Sequence, residues 1–165
     1  MMDSREALKA NGFTGFKTMQ ELMENNLCIP KEMGVYAVLR ENKDSPTFLV
    51  HGTGGFFKGD NPNVSIETLQ NEWVEDTDIL YIGKAGGTES NATLYSRLRQ
   101  YLQFGQEKAV GHKGGRYIWQ LKDSRSLIVC WKVLVHEEPR NVEREMIQAF
   151  KSDHQFKRPF ANLQD

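Results

Sequence analysis

The chain has 165 residues, 39% of them apolar and 26% charged, with a net charge of −1. That balance describes one folded domain with a core large enough to need no metal or disulfide staple, and it excludes long disorder. No run of eighteen apolar residues exists, so no membrane span is predicted, and the polar first six residues lack the apolar core of a signal peptide.

Residues 1–33 read as an N-terminal helical arm. Asp3 or Ser4 caps a first short helix that ends at Asn11-Gly12. Phe16, Met19, Leu22 and Met23 then repeat at helical spacing until Ile29-Pro30 stops the arm. The run Gly34-Val35-Tyr36-Ala37-Val38-Leu39 is β-branched and aromatic, which predicts a strand buried on both faces. Residues 41–77 read as an insertion. Gly52-Thr53-Gly54-Gly55 and the Gly59–Asn63 stretch are turn signals, residues 47–50 suit a short strand and residues 65–73 a short helix.

A second strand is expected at residues 78–83, with Gly83, Gly86 and Gly87 freeing the backbone around its end. The helix that follows is capped near Asn91, carries Leu94, Leu98, Tyr101 and Leu102 on its apolar face, and ends at Gly105. Residues 111–115 form a loop, and residues 117–121 suit either a short helix or a strand. Residues 126–135 are a strand, and Asn141 caps a last helix over 142–152. Residues 158–163 make a nonhelical tail. The result is a mixed α/β (α+β) domain.

Cys28 and Cys130 are the two cysteines, outside any CxxC, and read as reduced core thiols of a cytoplasmic protein. The four histidines show no ligand spacing. Charge is uneven along the chain. Residues 84–116 hold six basic residues against two acidic ones, whereas residues 41–80 hold eight acidic against two basic. The basic stretch is a candidate phosphate-facing surface. Within it, His112-Lys113-Gly114-Gly115-Arg116 pairs two glycines with three basic side chains, and His112 has the pKa range of a proton carrier.

On a helical wheel of the last helix, Glu143 falls inside the apolar arc of Val142, Met146, Ile147, Ala149 and Phe150, while Arg144, Glu145 and Gln148 fall outside. An inward carboxylate needs a basic partner or a metal ion. Its place in the first helical turn favours the ionised form, which suits a hard divalent cation. Tyr36 and Tyr81 sit in the first two strands, with Lys84 three residues after Tyr81 and placed to lower a phenol pKa. Arg97 and Arg99 lie at opposite edges of the apolar face of the middle helix, and the wheel does not choose between them.

Gly34-Val35-Tyr36, then Tyr81-Ile82-Gly83-Lys84, Arg97 within Leu94-Tyr95-Ser96-Arg97-Leu98, Glu143 ahead of Met146-Ile147, and Asn162, in that order, resemble the signature of the GIY-YIG nucleases. Val35 stands where the family name has Ile. The intervals of 45 residues from Tyr36 to Tyr81 and 19 from Glu143 to Asn162 are wider than in compact members, the first matching the insertion. The resemblance selects Arg97 over Arg99 and Glu143 over Glu145. It implies a three-stranded sheet flanked by helices over 34–165, and a metal-dependent endonuclease that hydrolyses DNA.

In that scheme Glu143 holds one Mg²⁺ (or Mn²⁺), Arg97 stabilises charge on the phosphate, and Asn162 pins the tail. Tyr36 or Tyr81 deprotonates the attacking water with help from Lys84. Arg99, His112, Lys113 and Arg116 are then the expected DNA contacts. A fold that binds nucleic acid or another partner without cleaving is the alternative.

Overall fold

A computed structural model describes residues 3–112 and 114–164. Its elements in chain order are α1 (Arg5–Ala10), β1 (Thr14–Thr18), α2 (Met19–Glu24), β2 (Gly34–Leu39), α3 (Ile66–Glu72), β3 (Ile79–Ala85), α4 (Leu94–Phe104), β4 (Ile128–Val133) and α5 (Pro139–Asp153). Short 3₁₀ turns occupy Phe57–Gly59, Arg116–Gln120 and Ser124–Ser126. The mixed α/β class is as expected.

The sheet has four strands in the order β1-β4-β2-β3, every neighbouring pair antiparallel. The three expected strands are present, and the fourth comes from the N-terminal arm. Phe16 belongs to β1, not to a helix, and sits at φ 55° in a bulge between Gly15 and Lys17. Pairing with β4 satisfies the backbone of residues 14–18, a long-range term that outweighs local helical spacing. The helix begins only at Met19, where Thr18 and Glu21 form a capping box.

β2 is buried along its whole length. Its alternation feeds two cores: Tyr36 and Val38 pack with α2 and α4 residues on one face, and Val35, Ala37 and Leu39 pack with α1 and α5 residues on the other. β3 is an edge strand, and the tail covers its edge. The Ala161 amide donates to the Leu80 carbonyl at 2.8 Å, and the Asn162 side chain bonds both the N–H and the carbonyl of Ile82 at 2.9 Å.

Several boundaries move. Thr93, not Asn91, caps α4, through a capping box with Ser96. The last helix starts at Pro139 behind Glu138, not at an Asn141 cap, because proline is preorganised for the first helical position. Glu143 therefore lies beyond the first turn, where the macrodipole no longer favours its charge. Residues 47–50 form no strand and contribute only the Phe48–Leu121 bridge. Cys28 is exposed; Cys130 is buried, and both are free thiols.

The glycines at 52–55 all have negative φ, and the backbone there bends without a hydrogen-bonded turn. They allow close approach: a Cβ at Gly55 would overlap the Lys108 carbonyl. No helix among the described residues is long and apolar enough to cross a membrane.

Candidate active site

β2 and β3 place Tyr36 opposite Gly83 in the register. The Tyr36 ring lies over Gly83, where a Cβ would collide with the phenol, so glycine is required by space. Tyr81 meets Tyr36 edge-on at 5.9 Å between centroids. These two rings form the floor of a cleft of about 740 Å³, which Lys84, Arg97, Glu143 and Asn162 also line. Six residues drawn from two strands, two helices and the tail thus converge on one concave surface.

Arg97 enters from the first turn of α4, where the Thr93 cap fixes the helix start. Its Nη1 donates to Gln100 Oε1 at 3.0 Å, one turn along. Gln100 lines the same cleft and was not singled out by sequence, since a polar residue three after an arginine carries no distinctive signal. Arg99 is exposed and does not line the cleft.

Glu143 is half-buried, whereas Glu145 is exposed, as the wheel implied; Ala149, placed in the apolar arc, is exposed as well. Among the described residues Glu143 has no ion-pair partner within 4.0 Å. Burial raises its pKa, and the charges of Lys84 and Arg140 offset only part of that. A structural salt bridge, the alternative explanation for an inward carboxylate, is therefore not what holds it. No group of three or more potential ligand side chains exists among the described residues. The donor set is one carboxylate in an open, polar cleft. That suits Mg²⁺, which keeps most of its waters and needs few protein ligands.

The tyrosines differ from expectation. Burial pushes Tyr36 well above the ordinary phenol value and Tyr81 up to about 12. Lys84 does not depress either phenol; its side chain is exposed and its charge acts on Glu143 instead. The two hydroxyls interact with opposite effects, raising Tyr36 and lowering Tyr81, and Arg97 lowers both. Tyr36 is 1% exposed and Tyr81 8%, so Tyr81 is the phenol more open to the cleft.

The loop after α4 does not present three basic side chains. His112 is 1% exposed and stacks on Tyr101 at 4.5 Å. Burial, helped by the charge of Arg97, holds its pKa down to about 3, so it is neutral at physiological pH. Its burial and its stacking on Tyr101 take it out of reach of a phosphate at the surface. Arg116 is half-exposed and lines a different depression, while Gly114 reaches the cleft. Lys113, the remaining expected DNA contact, lies outside the described residues. Tyr101, unremarked by sequence except as core, donates to the Gly115 carbonyl at 2.6 Å and anchors this loop against the tyrosines.

Compared with protein-family models, with curated proteins and with solved structures, the chain matches none.

Proposed function

We propose that this chain is a metal-dependent endonuclease of the GIY-YIG kind that hydrolyses DNA phosphodiester bonds. The observation that carries this reading is the convergence of Tyr36, Tyr81, Lys84, Arg97, Glu143 and Asn162 on one cleft. They are the residues that the resemblance singles out, and they come from segments spread across 127 positions of the chain.

Glu143 would hold Mg²⁺ or Mn²⁺, and the ion would supply charge stabilisation to the hydrolysis. Arg97, held by Gln100, faces the nonbridging oxygens, where negative charge develops. Tyr81, in its ionised phenolate form, is the better candidate to take the proton of the attacking water, being more exposed than Tyr36 and the one whose pKa their contact lowers. Lys84 favours the ionised form of Glu143 against the effect of burial and adds a positive charge at the cleft mouth. Asn162 fixes the backbone of β3 next to Tyr81. The two free thiols fit a reducing compartment such as the cytoplasm.

The second reading, a binding module without catalysis, explains the cleft but leaves an unpaired, desolvated Glu143 without a purpose. Nicking of supercoiled plasmid with Mg²⁺, with Mn²⁺ and with chelator separates the two. Nicking that needs the metal and disappears in Arg97→Ala supports the endonuclease. Arg99→Ala is expected to retain turnover at saturating DNA, with weaker binding and a shallower salt dependence. DNA binding without nicking under any of these metals favours the binding module.

A further inference from the structure

The insertion and the far end of α4 enclose a second depression of about 320 Å³. Phe57, Pro62 and Phe104 give it apolar walls, and Asp60, Asn61 and Arg116 stand around it. It is a built feature. Phe104 is 1% exposed, its ring packed against Gly54. The Gln120 side chain ties the insertion down, donating to the carbonyls of Leu49 (3.0 Å) and Val64 (2.9 Å) and accepting from the Val64 amide at 2.9 Å. Arg116 is steadied over the Tyr117 ring at 5.5 Å.

The depression shares no lining residue with the candidate active site, yet the two are joined twice. Arg97 and Phe104 sit seven residues apart on α4, a separation of about 10 Å along the axis. Gly114 reaches the cleft, and Arg116, two residues on, reaches the depression.

The chemistry favours one kind of occupant. Apolar and aromatic walls suit a flat π-face, while the Asn61 amide nitrogen and the Arg116 guanidinium offer donors to a polar edge. The volume is at the small end of ligand pockets and far too small for a duplex. We propose that this depression receives one unstacked nucleobase of the same strand whose phosphate occupies the cleft. The separation of about 10 Å along α4 is short enough for one strand to reach both places within a few nucleotides. The proposal rests on the endonuclease reading for its substrate, and the test below separates the two.

A short single-stranded oligonucleotide carries one abasic site, moved through each position in turn. Cleavage is followed with the wild-type protein and binding with Glu143→Gln. The expected result is a loss of about 10- to 100-fold in binding at one position, the scale of removing a stacked base. That position should lie within a few nucleotides of the cut. Phe57→Ala, Arg116→Ala and the exposed-rim variant Asn61→Ala should each weaken binding of the intact strand, and none should add to the loss from the abasic site. Cleavage with all abasic positions equivalent overturns the base pocket and leaves the endonuclease reading standing. No cleavage, but one sensitive position that Phe57→Ala erases, overturns the endonuclease reading and keeps the pocket. No binding of the oligonucleotide overturns both.

Discussion

Two charged side chains have been drawn into this protein, and they are treated in opposite ways. Arg40, at the end of β2, is 7% exposed and fully engaged: its Nε donates to Asp123 at 2.9 Å and its Nη1 to the carbonyls of Asn42 (3.1 Å) and Asp44 (2.8 Å), with Trp73 beneath it. Glu143, on α5, is half-buried with no ion pair among the described residues, and desolvation raises its pKa. A desolvated charge is tolerated only when something compensates it. Arg40 has its compensation inside the fold, where it locks the start of the insertion to the segment before β4. Glu143 has no such ion pair among the described residues, which is what the proposed metal site requires of it.

The largest expected effect follows from that difference. Glu143→Gln keeps shape and removes charge, and metal-dependent cleavage should fall by at least ~10²-fold, the scale of losing a charge-stabilising group. Stability should not fall. A carboxyl whose folded pKa is raised destabilises the fold once ionised, a cost present above the folded pKa and absent below the unfolded one. Removing it leaves the metal-free melting temperature unchanged or slightly higher at neutral pH. Glu145→Gln, on the exposed face, should cleave like wild type. The reverse pattern in the two variants would place the metal ligand one helical face away.

Arg40→Met is the complementary break. It strands the Asp123 carboxylate and two carbonyls. A fully buried pair would cost about 3–5 kcal/mol, but Asp123 is 28% exposed and water recovers part of that. We expect about 2–3 kcal/mol lower stability by urea unfolding, with the cleavage rate per folded molecule unchanged. A loss of rate at unchanged stability would mean that the insertion acts on chemistry.

The ease with which the cleft was read, compared with the arm and the insertion, has a physical basis. Glu143 was legible because one helix obeys one period, so an acid at an apolar position is out of place on the wheel. Ile29-Pro30, Gly105 and the β2 run were legible for the same local reasons. β1 was not, because Phe16 fits a helical period by chance and only pairing with β4, more than a hundred residues away, decides otherwise. The Gly52–Gly55 stretch failed similarly: local chemistry says turn, while the actual demand is close contact with Trp119 and Lys108. His112 was misplaced, and the charge of Lys84 bears on Glu143 where the phenols were expected, because burial and the direction of a charge are tertiary properties. The site's residues were visible in the sequence, but not the electrostatics that act on them.

A smaller effect is expected where the tail meets β3. Asn162→Ala removes two hydrogen bonds at 2.9 Å and leaves the Ile82 N–H and carbonyl without partners in a buried setting. The expected cost is about 1–3 kcal/mol. Hydrogen exchange at the Ile82 amide should accelerate more than that of the central β2 amides, because the tail loosens from the edge before the sheet opens. Cleavage should drop in step with that loosening, since Tyr81 is carried by the same stretch of β3. Unchanged exchange at Ile82 would show that the Ala161–Leu80 bond suffices to hold the tail.

The smallest effect separates two roles for Lys84. If its charge serves Glu143, Lys84→Met removes an influence that lowers the Glu143 pKa, so that pKa rises further. Metal binding requires the ionised carboxylate, so the acid limb of the cleavage profile should move to higher pH. At the alkaline end, wild-type activity should keep climbing beyond pH 9 without a plateau, because burial holds the Tyr81 phenol near 12. Lys84→Met should leave that slope where it is. Single-turnover cleavage at saturating DNA and subsaturating Mg²⁺ gives both limbs in one series, and saturating Mg²⁺ should erase the acid-limb shift. A shift of the alkaline limb, with the acid limb fixed, would instead couple Lys84 to a tyrosine and return it to the proton-transfer step.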